Sequence, residues 1–404
     1  MCKHCRTTFS LSCRLVVLSS NFRIKTLLTI FFFSAAFISA QRASAQIWTT
    51  SSSPSLTWSS VASSADGSVL VAIGSSAPNY YIYTSTNFGT SWSLSGAPSK
   101  VWTTVAASAD GKLLLAAAAT GGIYSSTNFG STWQTNGVPV NATWISVAAS
   151  ANGSTLIAGA QFGYVYYSTN MGANWQNSGN PSSSWGGLLC SADGTKLAAI
   201  SVTQQLYTST NSGASWNHSS PPADGGLRCS ADGGLLLQAA TSANRLYCST
   251  DWGVTWTYNS MPISSFPYRI SGDGKKIVVL LNSAGGMHIS TNLGVTWTTN
   301  YAPGKSWSGG IAISADGSRM AATTSTASDK IYFWQPPSLI VTNSGSNLAF
   351  SWPTNGTAFK LQMNTNLTSA NWVNSPNVPT VNNGMNQVIV ARTNSNAFFR
   401  LISQ

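Results

Sequence analysis

The octapeptide STNFGTSW at residues 85–92 is one copy of the phrase Ser-Thr-(Asn/Asp)-x-Gly-x-x-Trp, which recurs along the chain. The six copies occupy residues 85–92, 126–133, 168–175, 209–216, 249–256 and 290–297. Their glycines are 40 to 42 residues apart. A fixed turn and a fixed tryptophan at a period near forty residues are typical of propellers and solenoids. The sequence therefore predicts a repeat protein built from many short strands.

A second phrase, Ser-(Ala/Gly)-(Asp/Asn)-Gly, interleaves with the first. Its seven copies end at Gly67, Gly111, Gly153, Gly194, Gly233, Gly274 and Gly317. An apolar run precedes each copy, a second apolar run follows it, and a third run stands before the Ser-Thr-Asn phrase. We name the strands of each unit A, B, C and D, joined by an A–B turn (second phrase) and a C–D turn (first phrase). Four antiparallel strands per unit form one propeller blade.

The last unit ends with its strand C at residues 331–334 and has no C–D phrase. At the other end of the chain, Trp48 precedes Trp58 by ten residues, the same spacing that separates Trp92 from Trp102. We therefore expect residues 47–49 to supply the missing strand D. The predicted fold is all-β, a seven-bladed β-propeller over residues 46–335 that is closed by an N-terminal D strand.

Both phrases stop at Pro336-Pro337, which indicates a linker. Beyond it, short alternating runs such as residues 348–352 predict several strands without a repeat. Residues 336–404 are therefore predicted to form a small β-sandwich-like C-terminal module.

Residues 1–45 have the pattern of a signal peptide. Basic residues extend to Lys25, an apolar run covers residues 27–40, and Ala43-Ser44-Ala45 offers a cleavage site before Gln46. This pattern predicts a secreted, periplasmic or cell-surface protein. The alternative is an uncleaved N-terminal anchor, which is the only membrane association that the sequence predicts.

The formal net charge of +11 is concentrated in the signal region, since six of the 20 Lys and Arg residues precede residue 46. No basic run with interleaved aromatic residues is present, so we expect no nucleic-acid partner. Beyond the signal region, Cys190, Cys229 and Cys248 are odd in number and are predicted to be buried free thiols. We expect a monomer without cofactors.

Turn chemistry explains the residues of the C–D phrase. Asn and Asp side chains accept hydrogen bonds from nearby backbone amides, Gly adopts positive φ at little cost, and Trp covers apolar surface between sheets. Because five of the six copies carry Asn, a metal site is not expected. The residues with this predicted structural role are Asn87, Gly89, Trp92, Asn128, Gly130, Trp133, Asn170, Gly172, Trp175, Asn211, Gly213, Trp216, Asp251, Gly253, Trp256, Asn292, Gly294 and Trp297.

The C–D phrase resembles the Asp-box (BNR) repeat of sialidase-like propellers, a repeat that is also found in sortilin-like receptors and Ycf48-like assembly factors. The resemblance covers roughly residues 47–334 and implies the propeller fold. It leaves function open, because the superfamily contains enzymes as well as binding proteins. The tail, with the run at 348–353 and Phe398-Phe399-Arg400-Leu401, looks like C-terminal modules of secreted bacterial proteins.

Enzymatic activity is disfavoured by the acidic residues. The chain contains nine Asp and no Glu, whereas the resemblance implies a sialidase-like site with a Tyr backed by Glu, an acid/base Asp and three arginines. Six of the Asp residues lie in A–B turns, on the face opposite the usual ligand mouth. Asp224 and Asp329 are predicted on the mouth side, and they form the candidate catalytic pair of a divergent glycoside hydrolase.

Arg228 and Arg269 occupy a strand A position where the other blades have Ala or Leu. Two arginines on adjacent blades are suited to clamp a carboxylate, sulfate or phosphate. Basic residues of the same face, such as Lys196 and Lys276, are expected to pair with the turn Asp residues. The loops of the mouth side carry further ligand-binding candidates, which are Tyr80, Phe162, Tyr164, Gln204, Arg245, Tyr258 and Tyr301.

These residues predict a secreted, non-catalytic binding propeller for a glycan or a protein ligand. A divergent sialidase-like glycoside hydrolase is the alternative. A second alternative is an assembly factor that docks on a membrane-protein partner through its basic face.

Overall fold

A computed structural model describes residues 47–138, 142–221, 225–240, 243–262, 267–281, 286–300, 302–335, 339–353, 359–365, 371–382, 385–391 and 397–403. The predicted signal peptide, Asp224 and Tyr301 lie outside these residues. The described secondary structure is all β, as predicted. Within the described ranges, no helix has the length and hydropathy needed to cross a membrane.

The strands up to and including Gln335 form four-stranded antiparallel sheets, which we number 1 to 7. The first described strand, β1 (Ile47–Thr50), belongs to sheet 7. Sheet 1 contains β2 (Thr57–Ser63), β3 (Leu70–Ser76), β4 (Asn79–Ser85) and β5 (Ser93–Leu94); sheet 2 contains β6 (Trp102–Ala107), β7 (Leu114–Ala118), β8 (Ile123–Ser126) and β9 (Gln134–Thr135); sheet 3 contains β10 (Thr143–Ala149), β11 (Leu156–Gln161), β12 (Val165–Ser168) and β13 (Gln176–Asn177). Sheet 4 contains β14 (Trp185–Cys190), β15 (Leu197–Ser201), β16 (Leu206–Ser209) and β17 (Asn217–Ser219); sheet 5 contains β18 (Leu227–Cys229), β19 (Leu236–Ala240), β20 (Arg245–Ser249) and β21 (Thr257–Ser260); sheet 6 contains β22 (Tyr268–Ile270), β23 (Ile277–Leu280), β24 (Met287–Ser290) and β25 (Thr298–Asn300); sheet 7 contains β26 (Trp307–Ile313), β27 (Met320–Thr324), β28 (Tyr332–Gln335) and β1.

The A–B turns are held by one serine each. In sheet 1, the Ser64 hydroxyl donates to Asp66 Oδ1 at 2.7 Å and accepts from the Val69 amide at 2.9 Å. Gly67 closes the turn at a φ of 76°, a conformation that favours glycine. The other A–B turns repeat this arrangement, with Asn152 in place of Asp in sheet 3. The carboxylates of these turns therefore serve the backbone of the turns.

The C–D turns use the Ser-Thr-Asn phrase in a related way. Ser85 Oγ donates to Asn87 Oδ1 at 3.0 Å and accepts from the Gly89 amide at 2.9 Å, and Asn87 Oδ1 also accepts from the Ser91 amide. The residue before the glycine also has a positive φ, which is 58° for Phe88 in sheet 1. The corresponding serine and Asn or Asp residues make the same bonds in sheets 2 to 6.

A cycle of backbone hydrogen bonds connects the A–B turns. Each turn donates an amide to the carbonyl of the next turn, as Ala65 does to Ala109 at 2.8 Å and Ala109 to Ala151 at 2.8 Å. The series ends where Ala315 donates to Ala65 at 2.6 Å. First strands of adjacent sheets also contact one another, including β26 with β2. The strands of type A therefore form a closed inner ring.

The two ends of this region meet in sheet 7. The strand order β1-β28-β27-β26 places β1 in the position of a fourth strand. The Ser51 amide donates to the Ile331 carbonyl at 2.9 Å, and the indole of Trp48 lies 5.3 Å from that of Trp307. Because β1 is held by pairing and by ring contact, the first described strand completes sheet 7.

The core lies between neighbouring sheets. Trp102 of sheet 2, for example, packs in one cluster with Val71 and Ile73 of sheet 1. The tryptophans that begin strand A are buried and meet an aromatic ring of strand C, as Trp144 meets Tyr166 at 5.6 Å. Such wide rings remove large apolar areas from water at each sheet junction.

The chain divides at Pro336, where the compact unit Trp48–Gln335 ends. The described strands beyond it are β29 (Ile340–Ser344), β30 (Asn347–Pro353), β31 (Phe359–Asn364), β32 (Val373–Asn374), β33 (Thr380–Asn382), β34 (Met385–Ala391) and β35 (Phe398–Ser403). They form a sheet of order β29-β30-β34-β33 and a sheet of order β32-β31-β35. Phe350 of the first sheet and Phe399 of the second lie 4.3 Å apart in one apolar cluster.

Candidate ligand-binding site

The loops between strands B and C lie at the same end of the sheets as the connections from strand D to the next strand A. Gly163, in a B–C loop, exchanges backbone hydrogen bonds with Ser183, in the connection from sheet 3 to sheet 4. Val202, in the B–C loop of sheet 4, donates to the Ser184 carbonyl at 2.8 Å. These bonds join the loops of sheets 3 and 4 into one surface, which we call the loop surface.

Two exposed aromatic residues of sheet 3 lie on the loop surface. Phe162 is 80% exposed and Tyr164 is 43% exposed. Phe162 also has a φ of 52°, which a bulky residue rarely adopts. The exposed rings of Phe162 and Tyr164 therefore offer apolar contact area at the loop end of sheet 3.

The loop surface continues into sheet 5 through Gln204. The side chain of Gln204 accepts a hydrogen bond from Nε2 of buried Gln238 at 3.1 Å, and Gln238 also donates to the Gly225 carbonyl. Gln204 has a φ of 60°. The Gln204 side-chain amide therefore joins sheets 4 and 5 and has a structural role.

In sheet 5, Arg245 begins β20 next to the B–C loop, and its side chain stacks on Tyr258 of β21. The guanidinium carbon of Arg245 lies 4.3 Å from the ring centroid of Tyr258, which is 55% exposed. The ring of Tyr247 lies 5.5 Å from that of Tyr258. A hydrogen bond with Tyr247, followed by the attraction of Tyr258, raises the pKa of Arg245. This stack presents a flat face with a permanent charge beside it.

The remaining sequence candidates on the mouth side differ from these. Tyr80 is half-buried and packs against the apolar cluster between sheets 1 and 2, so the structure does not bring it to the loop surface of sheets 3 to 5. Val202, which is 60% exposed between sheets 3 and 5, was not predicted. A single valine in a loop gives no sequence signal that distinguishes it from a strand residue.

Asp329, one of the two catalytic candidates, lies where the two ends of the Trp48–Gln335 unit meet, and its carboxylate is fully hydrogen-bonded. Its carboxylate accepts hydrogen bonds from Lys305 Nζ at 3.2 Å, Thr324 Oγ1 at 3.0 Å, the Lys330 amide at 2.8 Å and Tyr332 Oη at 3.2 Å. Burial raises the pKa of Asp329, but the hydrogen bonds from Lys330, Lys305 and Thr324 outweigh it, and the net pKa is lowered. A carboxylate held ionised by these donors is poorly suited to act as a general acid.

Asp329→Asn is expected to destabilise the protein by about 2 kcal/mol at pH 7, because Lys305 loses its charged partner. A carboxyl with a lowered folded pKa contributes stability above its unfolded pKa of about 3.9 and loses it as pH falls through the folded value. The difference between wild type and variant should therefore shrink toward pH 3. Urea unfolding at pH 7, 5 and 3 measures it, and a difference that stays constant with pH would contradict the assignment.

Arg228 and Arg269 lie on β18 and β22, in the inner ring. Arg228 Nε donates to the Tyr268 carbonyl of the next strand A at 3.4 Å. Arg269 Nε donates to the Ile311 carbonyl at 2.8 Å, and its Nη1 donates to the Tyr268 carbonyl at 2.9 Å. Both guanidinium groups therefore meet at one carbonyl oxygen. Burial lowers the pKa of each, and the charge of Arg228 lowers that of Arg269 further.

The basic residues lie close enough to attract the carboxylate of the next A–B turn, as Lys196 attracts Asp232 and Lys276 attracts Asp316, but their side chains donate hydrogen bonds to the backbone of that turn. Lys196 Nζ donates to the Gly233 carbonyl at 2.8 Å, Lys276 Nζ to the Gly317 carbonyl at 3.2 Å, and Arg319 Nη1 to the Asp66 carbonyl at 3.1 Å. Each cation thus bonds the backbone of the next A–B turn. The carboxylates of these turns already accept hydrogen bonds from their own serine and backbone, which explains the preference.

Cys190, Cys229 and Cys248 are free thiols. Burial raises the pKa of all three, to about 12 for Cys229 and to about 11 for Cys248. Such thiols are protonated near neutral pH and are poor nucleophiles. Across the described part of the chain, no group of three or more His, Cys, Asp or Glu side chains is arranged to hold a metal ion.

Comparison with known proteins identifies the fold of the chain but does not assign it to a family. The sequence matches no family model and no curated protein. Among solved structures, YCF48 from Cyanidioschyzon merolae matches with a TM-score of 0.55 and 12% identity, over 72% of this chain and 99% of that one. The Cps50 (Swd1) beta-propeller domain from Myceliophteria thermophila matches with a TM-score of 0.56 and 14% identity, over 72% and 99%. A chain of the Mitotic Checkpoint Complex matches with a TM-score of 0.57 and 15% identity, over 78% and 99%. At these identities, the similarity shows that the chain has a β-propeller fold.

Proposed function

We propose that this chain is a secreted, non-catalytic binding protein that takes a glycan or a protein ligand on its loop surface. In this proposal, sheets 1 to 7 are the seven blades of an Asp-box propeller, and residues 336–404 form a β-sandwich-like accessory module. Secretion to the periplasm or cell surface is proposed from the signal-like pattern of residues 1–45.

The exposed aromatic residues of the loop surface carry this proposal. Phe162, Tyr164 and Tyr258 are exposed on sheets 3 and 5, and Arg245 stacks on Tyr258. Aromatic faces beside amide and guanidinium donors suit the apolar faces and hydroxyl edges of sugars, and they are also enriched where proteins bind proteins. The similarity to a chain of the Mitotic Checkpoint Complex, a protein assembly by its title, supports the protein alternative.

The state of Asp329 supports binding rather than hydrolysis. Glycoside hydrolysis uses two carboxyl groups that flank the scissile bond, one of them protonated. Asp329 is held as a carboxylate by Lys305 and its other donors, and the Asp residues of the A–B turns accept hydrogen bonds within their turns.

The test is a glycan array and a pull-down from the source cells with the purified chain, with released sugar measured in parallel. Phe162→Ala and Tyr258→Ala are each expected to weaken binding about tenfold, since buried aromatic contacts contribute more than 1 kcal/mol at binding hot spots. Phe129→Ala is the matched control. Phe129 is also exposed at a φ of 58°, but it lies in a C–D turn at the other end of the sheets.

The control should bind like wild type. Release of free sugar from a bound glycan would reject the proposed function, because it would show hydrolysis. Equal binding by wild type, Phe162→Ala and Tyr258→Ala would also reject it.

A further inference from the structure

The two arginines of the inner ring place two positive charges side by side. Arg228 and Arg269 both donate to the carbonyl of Tyr268 and are half-buried. Their mutual repulsion is the second cause, after burial, of the lowered pKa of Arg269. Two like charges away from bulk water repel more strongly than on an open surface. Such a pair is stabilised when an anion binds between the two groups.

Nothing comparable exists at the same position of the other sheets. The equivalent residues are Ala62, Ala106, Ala148, Leu189 and Ala312. Alanine and leucine at these positions add neither charge nor donors to the inner ring. The arginines are therefore not needed to build a strand A, and they concentrate the charge at sheets 5 and 6.

The contacts of Arg228 leave donors available. Its Nε and Nη1 donate to the carbonyls of Tyr268 and Leu227, and the guanidinium lies 5.4 Å from the Tyr268 ring centroid. No described carboxylate lies within ion-pair distance of Arg228; the ion pair in the described residues joins Lys305 to Asp329. Nη2 of Arg228 is therefore free to donate to an oxyanion, and a guanidinium suits the paired oxygens of phosphate or sulfate.

We propose that Arg228 and Arg269 form a binding site for one divalent oxyanion, phosphate or sulfate, inside the ring of first strands. A dianion neutralises both guanidinium groups, whereas acetate or chloride neutralises one. The ion is taken either free or as a phosphoryl or sulfuryl group of a larger ligand. This site is separate from the loop surface, so its test does not depend on the proposed function.

The test compares the thermal stability of the full chain in sodium phosphate, sulfate, acetate and chloride at equal ionic strength. Phosphate at tenfold excess over its Kd should raise the Tm by about 2 °C relative to chloride. Arg228→Ala and Arg269→Ala should lose this rise. Each variant restores the residue that most other sheets carry, so both are expected to fold. Lys112→Ala, which removes an exposed charge from an A–B turn, should keep the rise.

Calorimetric titration of the wild-type chain with sodium phosphate provides a readout that does not depend on the variants. Saturable binding is expected with phosphate and is not expected with acetate. Glucose 6-phosphate distinguishes the two sources, because it should bind only if the site accepts a group carried by a larger molecule. No saturable binding of phosphate or sulfate, an equal response to acetate, or an unchanged response in both arginine variants would overturn the proposal.

Discussion

Gly89→Ala is expected to lower the free energy of unfolding by about 3 kcal/mol, from backbone strain and overpacking together. Gly89 has a φ of 76°, where alanine is strained. A Cβ at this position would overlap the ring of Phe333 in sheet 7. Phe333 is itself buried and stacked on Trp92 at 6.4 Å, so its ring has little room to yield. Urea unfolding of wild type and variant measures the loss.

Gly137→Ala is the matched control for this prediction. Gly137 follows strand D of sheet 2, and it has an ordinary φ and no atom within 4 Å of a built Cβ. Its replacement should change stability by less than about 0.5 kcal/mol. Equal effects of the two substitutions would show that the contact between sheets 1 and 7 is not as tight as the structure indicates.

Trp48→Ala is expected to cost about 3 to 4 kcal/mol, in the range found for buried aromatic side chains. Trp48 is 7% exposed and packs with Trp307, Tyr332 and Trp334 in one cluster. It also anchors β1, the strand that completes sheet 7. The loss therefore combines a cavity with weaker closure of the ring. Thermal and urea unfolding measure the loss of stability. Circular dichroism is the readout, because tryptophan fluorescence would itself change when Trp48 is removed.

Thr50→Ala is the control on the same strand, because Thr50 is exposed. It should change stability by less than about 0.5 kcal/mol. If Trp48→Ala unfolds at the same urea concentration as wild type, β1 does not contribute to the stability of the ring.

The repeats made the all-β class and the four-stranded sheets predictable, since each turn has a chemical reason that recurs. Ser64, Asp66 and Gly67, for example, form one turn. Because all three lie within four residues, the sequence alone predicts their hydrogen bond and the positive φ of the glycine. The partners of long side chains were not predictable in the same way. Lys196 was expected to pair with a carboxylate; it lies close enough to attract Asp232, but its Nζ donates to the Gly233 carbonyl, while Asp232 accepts hydrogen bonds within its own turn.

The candidate site was predictable only as a set of loops. The alternation of strands assigned Phe162 and Tyr258 to the mouth side, but not their exposure. Tyr80 was grouped with them, although it packs against the cluster of sheets 1 and 2. Asp329 was predicted as a catalytic candidate from its position in a loop. Its hydrogen bond from Lys305 joins residues 24 positions apart, and no local sequence pattern predicts it. Such contacts are set by the tertiary fold.

Completion of the last sheet by the first strand has a consequence for the order of folding. Ser53 accepts a hydrogen bond from the Ile331 amide across 278 residues, so β1 cannot reach its partner until nearly all of the ring has been synthesised. Closing so long a loop costs entropy before any contact offsets it, and contacts of high sequence separation form slowly. Until then β1 has no partner strand and is open to association with another chain. A nascent chain that pauses before residue 335 therefore exposes two unmatched strands, one at each end of the incomplete ring.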